Sequence, residues 1–150
     1  MLVQLAKRKD GAGVLRCVRD DGSVTWQKQT ERHAAYFALH DLTHFAVESV
    51  LGYGRGFFGL LREGWDFDDI TGKGAKGLLP AEAGEVESIV GQFFVEQTSG
   101  ARWTAEEFCD FLSRKLTDEE LARVRHRRSE LFADWAAVES GCVLNLKFPS

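Results

Sequence analysis

Between His33 and Leu51 the chain runs nineteen residues without a glycine or a proline, and this stretch constrains everything that can be built around it. Thr30 is placed to cap a helix there, and Glu31 puts a carboxylate in the first turn, where the helix dipole favours it. At roughly 100° per residue, one arc of the helix collects Ala34, Ala35, Ala38, Leu39, Leu42, Phe45, Ala46 and Val50, an ordinary core-facing surface. The other arc gathers His33, Phe37, His40, His44 and Glu48 within about 80°, with Asp41 just beyond its edge. A solvated face would carry Lys and Arg. None occurs from His33 to Gly54, and Tyr36, Phe37, Val47 and Leu51 sit among the histidines. The pattern predicts a central helix covered on both faces.

Strands precede it. Leu2 to Lys7 and Val14 to Arg19 are β-compatible runs around Asp10-Gly11-Ala12-Gly13, and Asp21-Gly22 before Val24-Thr25-Trp26 is a hairpin signal because both residues tolerate positive φ. Residues 52–77 hold eight of the fifteen glycines, which predicts a long irregular segment with a helical turn at Phe57 to Arg62, suited to serve as a lid. Beyond Pro80, the spacing of Val86, Ile89, Val90, Phe93 and Phe94 predicts a helix ending near Ser99-Gly100. Thr104 with Glu107 and Thr117 with Glu120 are capping boxes. The first opens a helix burying Phe108, Phe111 and Leu112. The second opens one that runs to about Glu139 on Leu121, Val124, Leu131, Phe132, Trp135 and Val138. Cys142 to Phe148 alternates and reads as a strand returning to the N-terminal meander. The expected fold is α+β, with about four helices on a small antiparallel sheet.

At 150 residues and 44% hydrophobic content, the chain fits one domain with one core. Nineteen basic against 23 acidic side chains give a formal charge of -4, which argues against nucleic acid as the main partner. No apolar run approaches the roughly 18 to 20 residues of a membrane span, and Met1 to Asp10 lacks a signal-peptide stretch, so no membrane partner and a cytoplasmic setting are expected. Cys17, Cys109 and Cys142 are odd in number and far apart, as reduced and mostly buried thiols would be.

Histidines at i and i+4 leave a helix on successive turns and can approach one cation together, and a carboxylate one turn on can complete a three-ligand set. His40, His44 and Glu48 meet that spacing, with His33 as another candidate third ligand. Asp41 occupies the place held by the water-activating acid of the zinc-peptidase pattern H-E-x-x-H; being one methylene shorter, it is assigned a water-activating or orienting role. Zinc fits an imidazole-rich set best, and manganese or iron a carboxylate-rich one. The string Ala38-Leu39-His40-Asp41-Leu42-Thr43-His44-Phe45 also resembles the histidine-aspartate signature of the HD phosphohydrolase superfamily. That resemblance covers eight residues and implies a helical, metal-dependent phosphohydrolase with His40 and Asp41 as ligands. The chain departs from it in having strands upstream of the motif, and Thr43 where the family has glycine.

Outside this helix, Trp65-Asp66-Phe67-Asp68-Asp69 offers carboxylates beside the glycine-rich segment, so Asp66, Asp68 and Arg55 are candidate contacts for a small-molecule substrate. Thr71 to Gly77 lacks the Walker order and reads as a flexible basic turn. Arg123, Arg125, His126, Arg127 and Arg128 spread around a helix among Glu119, Glu130 and Asp134, as a locally paired surface does. The leading function is therefore a metal site of His, Asp and Glu on helix 33–51, supporting hydrolysis of an unidentified substrate. The competing class is a non-catalytic interaction or assembly module, in which the same groups form a buried hydrogen-bond network and the phenylalanines pack a core or a homo-oligomer interface.

Overall fold

A computed structural model describes residues 1–150. The N-terminal third forms strands β1 (Leu2–Lys7), β2 (Gly13–Val18) and β3 (Val24–Gln29), joined by two tight hairpins. In the second, Gly22 takes a φ of 85°, as the Asp-Gly pair requires, and Asp21 Oδ1 accepts the Ser23 amide at 2.8 Å. Strand β4 (Val143–Lys147) returns along the free edge of β1, giving an antiparallel sheet of order β3-β2-β1-β4. Val3, Leu5, Leu15, Cys17 and Leu146 point from one face of it into the core.

Helix α1 (Glu31–Leu51) lies against that face and is packed on its other sides by α4 (Ala81–Ser99) and α6 (Asp118–Ala137). Eight consecutive residues, Asp41 to Glu48, are buried, so this part of the helix is enclosed all round, whereas His33, Ala35 and Tyr36 in the first turns are exposed and the cover expected along the whole helix is confined to its second half. Both capping boxes form: Thr104 and Thr117 accept the Glu107 and Glu120 amides, and each glutamate reaches back to the threonine amide. No helix is long and apolar enough to cross a membrane.

Two expectations change. The glycine-rich segment is not one long irregular stretch, because it contains α2 (Phe57–Glu63) and α3 (Phe67–Ile70), and Phe58, Leu60, Leu61, Trp65 and Phe67 are core residues. Arg19 fastens this segment to the sheet by donating to the carbonyls of Leu61 and Trp65 and to Asp66 Oδ1. With α2 and α3 added to the four expected helices the count becomes six, and the helix opened by Thr104 is a short one, α5 (Ala105–Phe108). It stops before Phe111, which is exposed, because the chain turns at Cys109 and the Leu116 amide bonds to the Cys109 sulfur at 3.2 Å. Of the thiols, Cys17 and Cys109 are buried and Cys142 is exposed.

Phe45 of α1, Phe58 of α2 and Phe148 beyond β4 form a closed aromatic triangle, every pair of ring centroids 5.6 Å apart. It joins three chain segments distant in sequence. Truncating the central ring with Phe45→Ala is expected to cost about 3–5 kcal/mol of folding stability, read from urea denaturation midpoints.

Candidate metal centre

The antiparallel course of α1 and α4 decides which side chains meet. Tyr53 hydrogen-bonds Glu85 and the Arg55 amide donates to Glu82, which fixes the register between the end of α1 and the start of α4. Two residues beyond Glu85 on α4, Glu87 then falls opposite His40 and His44. Its Oε1 lies 3.5 Å from His40 Nε2 and its Oε2 3.0 Å from His44 Nε2. The two imidazole rings stand 4.8 Å apart, and the ligating atoms of His40, His44 and Glu87 all lie within 4.8 Å of one another. These three side chains form a group that could hold a metal ion. His44 is buried, His40 is half-buried against the paired rings of Tyr36 and Phe94, and Glu87 is largely exposed, so the group is seated in the α1–α4 seam with one open side.

The other nitrogen of each imidazole faces a carboxylate of α1 itself. His40 Nδ1 is 3.8 Å from Asp41 Oδ1, and His44 Nδ1 is 3.4 Å from Glu48 Oε1. Neither contact is a well-formed hydrogen bond, and His44 Nδ1 is a buried nitrogen without a hydrogen-bond partner. Burial draws the His40 pKa down, but Asp41 and Glu87 more than offset it and lift the pKa to about 9. His44 is raised in the same way: Glu48 and Glu87 overcome the effect of its burial. His40 and then His44 hold the Glu87 carboxyl well below its ordinary range. Asp41 moves the other way, pushed up by burial against the pull of His40.

Glu48 is 1% exposed and has a second task. Its carboxylate accepts the amides of Phe58 at 3.2 Å and Gly59 at 3.0 Å, capping the first turn of α2 from outside that helix. Gly56 makes this docking possible, since a Cβ there would come within 2.5 Å of the Glu48 carboxyl carbon. Part of the glycine richness after α1 is thereby explained as close approach.

The remaining sequence candidates lie elsewhere. His33 is exposed, edge-on to Phe37, and is not in the group. Arg55 is paired with Glu63 at 2.8 Å, Asp66 with Arg19 at 2.9 Å, and Asp68 is exposed at the start of α3 beside β3. The arginine helix is largely committed: Arg125 pairs with Glu96, Arg127 with Glu130, and Arg128 lies over the rings of Phe93, Phe94 and Phe132 while donating to Thr43 Oγ1 at 3.0 Å. Glu87 escaped the sequence reading because it is one of several exposed-type glutamates on an unremarkable polar face. Only its offset from the apolar stripe of α4 could have pointed to it. The chain matches no protein-family model, and no curated protein or solved structure shows significant similarity to it.

Two outcomes follow from this geometry. Glu48→Ala leaves two buried amides without an acceptor and is expected to lower stability by about 3 kcal/mol or more, with Glu48→Gln costing less; chemical denaturation reads both. In metal-free protein, the stabilisation from raised His40 is fully present below pH 6.5 and disappears as pH rises through about 9. That from depressed Glu87 is present above pH 4.5 and disappears in acid. The Tm difference between the wild type and Glu87→Gln in EDTA should accordingly be largest between pH 4.5 and 6.5 and smallest in the alkaline range.

Proposed function

We propose that the protein binds one divalent cation through His40 Nε2, His44 Nε2 and a Glu87 oxygen. The observation that carries this reading is the convergence of both Nε2 atoms on Glu87, at 3.5 and 3.0 Å, while both Nδ1 atoms face carboxylates. Ligand atoms bonded at about 2.0–2.1 Å to a tetrahedral zinc ion are roughly 3.3 Å apart. The two Glu87 oxygens stand at 3.5 and 3.0 Å from the two imidazoles and the whole group spans up to 4.8 Å, so small side-chain shifts bring one oxygen and both nitrogens onto an ion. Metal-ligating histidines normally hand their other nitrogen to a carboxylate, which sets the tautomer and strengthens the ligand. Asp41 and Glu48 suit that supporting part, and Glu48 is held in place by the α2 amides. Two imidazoles and one carboxylate favour zinc, with manganese or iron as the carboxylate-tolerant alternatives.

Three protein ligands and an open side leave a coordination position for water, the layout of a catalytic rather than a closed structural site. Hydrolysis of a small substrate is the activity this favours. The ligands hold the ion, and Asp41 and Glu48 orient the imidazoles, so activation of water falls to the ion's own charge. A second reading has its own support: His40, His44 and Glu87 already neutralise one another without an ion, and together with Glu48 they tie α1, α2 and α4. That is what a non-catalytic assembly module would need.

Calorimetric titration of tag-free, EDTA-stripped protein with zinc separates the two. About one equivalent is expected to bind, with protons released because the raised imidazoles must deprotonate, and affinity should increase with pH. Glu87→Gln should weaken uptake at least about tenfold, as loss of a charged ligand does, and the His40→Ala, His44→Ala double variant should abolish it. Protein that folds normally yet takes up no zinc, manganese or iron would leave the assembly reading in place.

A further inference from the structure

A cleft of about 290 Å³ opens where the first turns of α1 cross the β1–β2 hairpin, between Gly11–Gly13, Ala34, Ala35 and Trp135. Below it a chamber of about 20 Å³ shares Ala6, Gly13, Ala34 and Trp135 with the cleft and reaches the side chain of Asp41. The walls are small by necessity. At Gly13 a Cβ would stand 3.2 Å from that of Ala34, tighter than ordinary packing, so larger side chains at either position would fill the boundary that the cleft and the chamber share.

Asp41 is only 5% exposed, and no protein donor hydrogen-bonds to it: His40 Nδ1 stays 3.8 Å from Oδ1. Gln29, the other polar side chain of the chamber, makes no hydrogen bond to it. Lys7 at the rim is already engaged, its Nζ donating to the carbonyls of Trp135 and Val138. A carboxyl buried without a donor is costly, and native structures rarely leave one so. The chamber holds about one water-sized group, given that roughly 10–15 Å³ is the minimum for a single water. Whatever enters must be a single heavy atom rich in donors, and an ammonium nitrogen carries three. The outer cleft is close to the lower limit of about 300 Å³ for small-molecule sites, and Trp135 lines it with the Lys7 ammonium 4.6 Å from the centroid of its ring, so the indole surface left by Lys7 is what a ligand body can meet.

We propose that this cleft is a binding site for a small primary amine, its ammonium group on the Asp41 carboxyl and its apolar body against Trp135. The site uses no atom of His40, His44 or Glu87, but it shares Asp41, whose Oδ1 faces His40 Nδ1 at 3.8 Å, and it is therefore tested in metal-free protein.

The test is an NMR titration of the whole protein in EDTA, which keeps the amine from ligating stray metal. Benzylamine and the slimmer n-butylamine are the probes, and benzyl alcohol is the uncharged isostere. Saturable shifts of the Trp135 indole and Gly13 amide signals are expected with at least one amine, with benzyl alcohol binding roughly ten- to a hundredfold more weakly. Asp41→Asn should weaken the amine by a similar factor. Ala34→Leu, which keeps the carboxyl but fills the boundary between cleft and chamber, should abolish binding while leaving zinc uptake and the circular dichroism spectrum unchanged. Absence of saturable shifts with both amines, equal binding of benzyl alcohol, or an amine affinity unaltered in Asp41→Asn would each overturn the proposal and leave the chamber to water.

Discussion

The Glu48 carboxylate is the contact on which the functional half of the molecule is built. It is enclosed between α1 and α2, with no lysine or arginine paired to it, and its donors are the first-turn amides of α2. Enclosing a carboxylate costs several kcal/mol unless its lone pairs are satisfied. Two charge-assisted hydrogen bonds and the positive end of a helix offset that cost, each bond being worth about 1.5–3 kcal/mol. The arrangement works in both directions, because α2 is too short to be stable by itself and acquires its start from a neighbour's side chain. Once α2 is anchored, Phe58 closes the aromatic triangle with Phe45 and Phe148, and Phe57 lies against the His44 ring at 5.2 Å. Core packing and placement of the histidine are therefore consequences of one docking event.

Electrostatics in the α1–α4 seam follow from who is buried and who is not. His44 lies inside, where an uncompensated imidazolium would be costly, yet carboxylates on both sides keep its charge favourable. Glu87 supplies the compensation from the solvent side and pins two turns of α1 at once. Arg128 meets a different environment nearby. It is half-buried over Phe93, Phe94 and Phe132 without a carboxylate partner, and burial lowers its pKa. Cation-π contact and the hydroxyl of Thr43 take the place of an ion pair there, holding α6 against the same length of α1 that carries the histidines.

Much of this was readable in the chain, for local reasons. The hairpins follow from Asp-Gly chemistry, the two capping boxes from hydroxyl-to-carboxylate spacing, and the enclosure of the second half of α1 from the absence of lysine and arginine, although His33, Ala35 and Tyr36 in the same stretch are exposed. The pairing of His40 with His44 follows from helical pitch alone. The glycine-rich segment was harder. Composition there signals loss of backbone order, whereas Gly56 is needed for close approach to Glu48, and short helices with few residues per turn of pattern leave little periodic trace. Phe111 misled in a similar way, since its helical spacing is overridden by the turn at Cys109.

The amino-acid order determined that one helix would be central, that its histidines would share a face, and that carboxylates would lie one residue and one turn away. Tertiary structure alone decided which carboxylate completes the group. Glu48 belongs to the right helix at the right spacing, yet its oxygens are taken by amides of a segment that folds back onto it. Glu87, about forty residues away, arrives because α4 runs antiparallel to α1 in one register. Helical spacing governs neighbours along a single axis, and the register between two axes is set by packing and capping contacts spread over the whole chain.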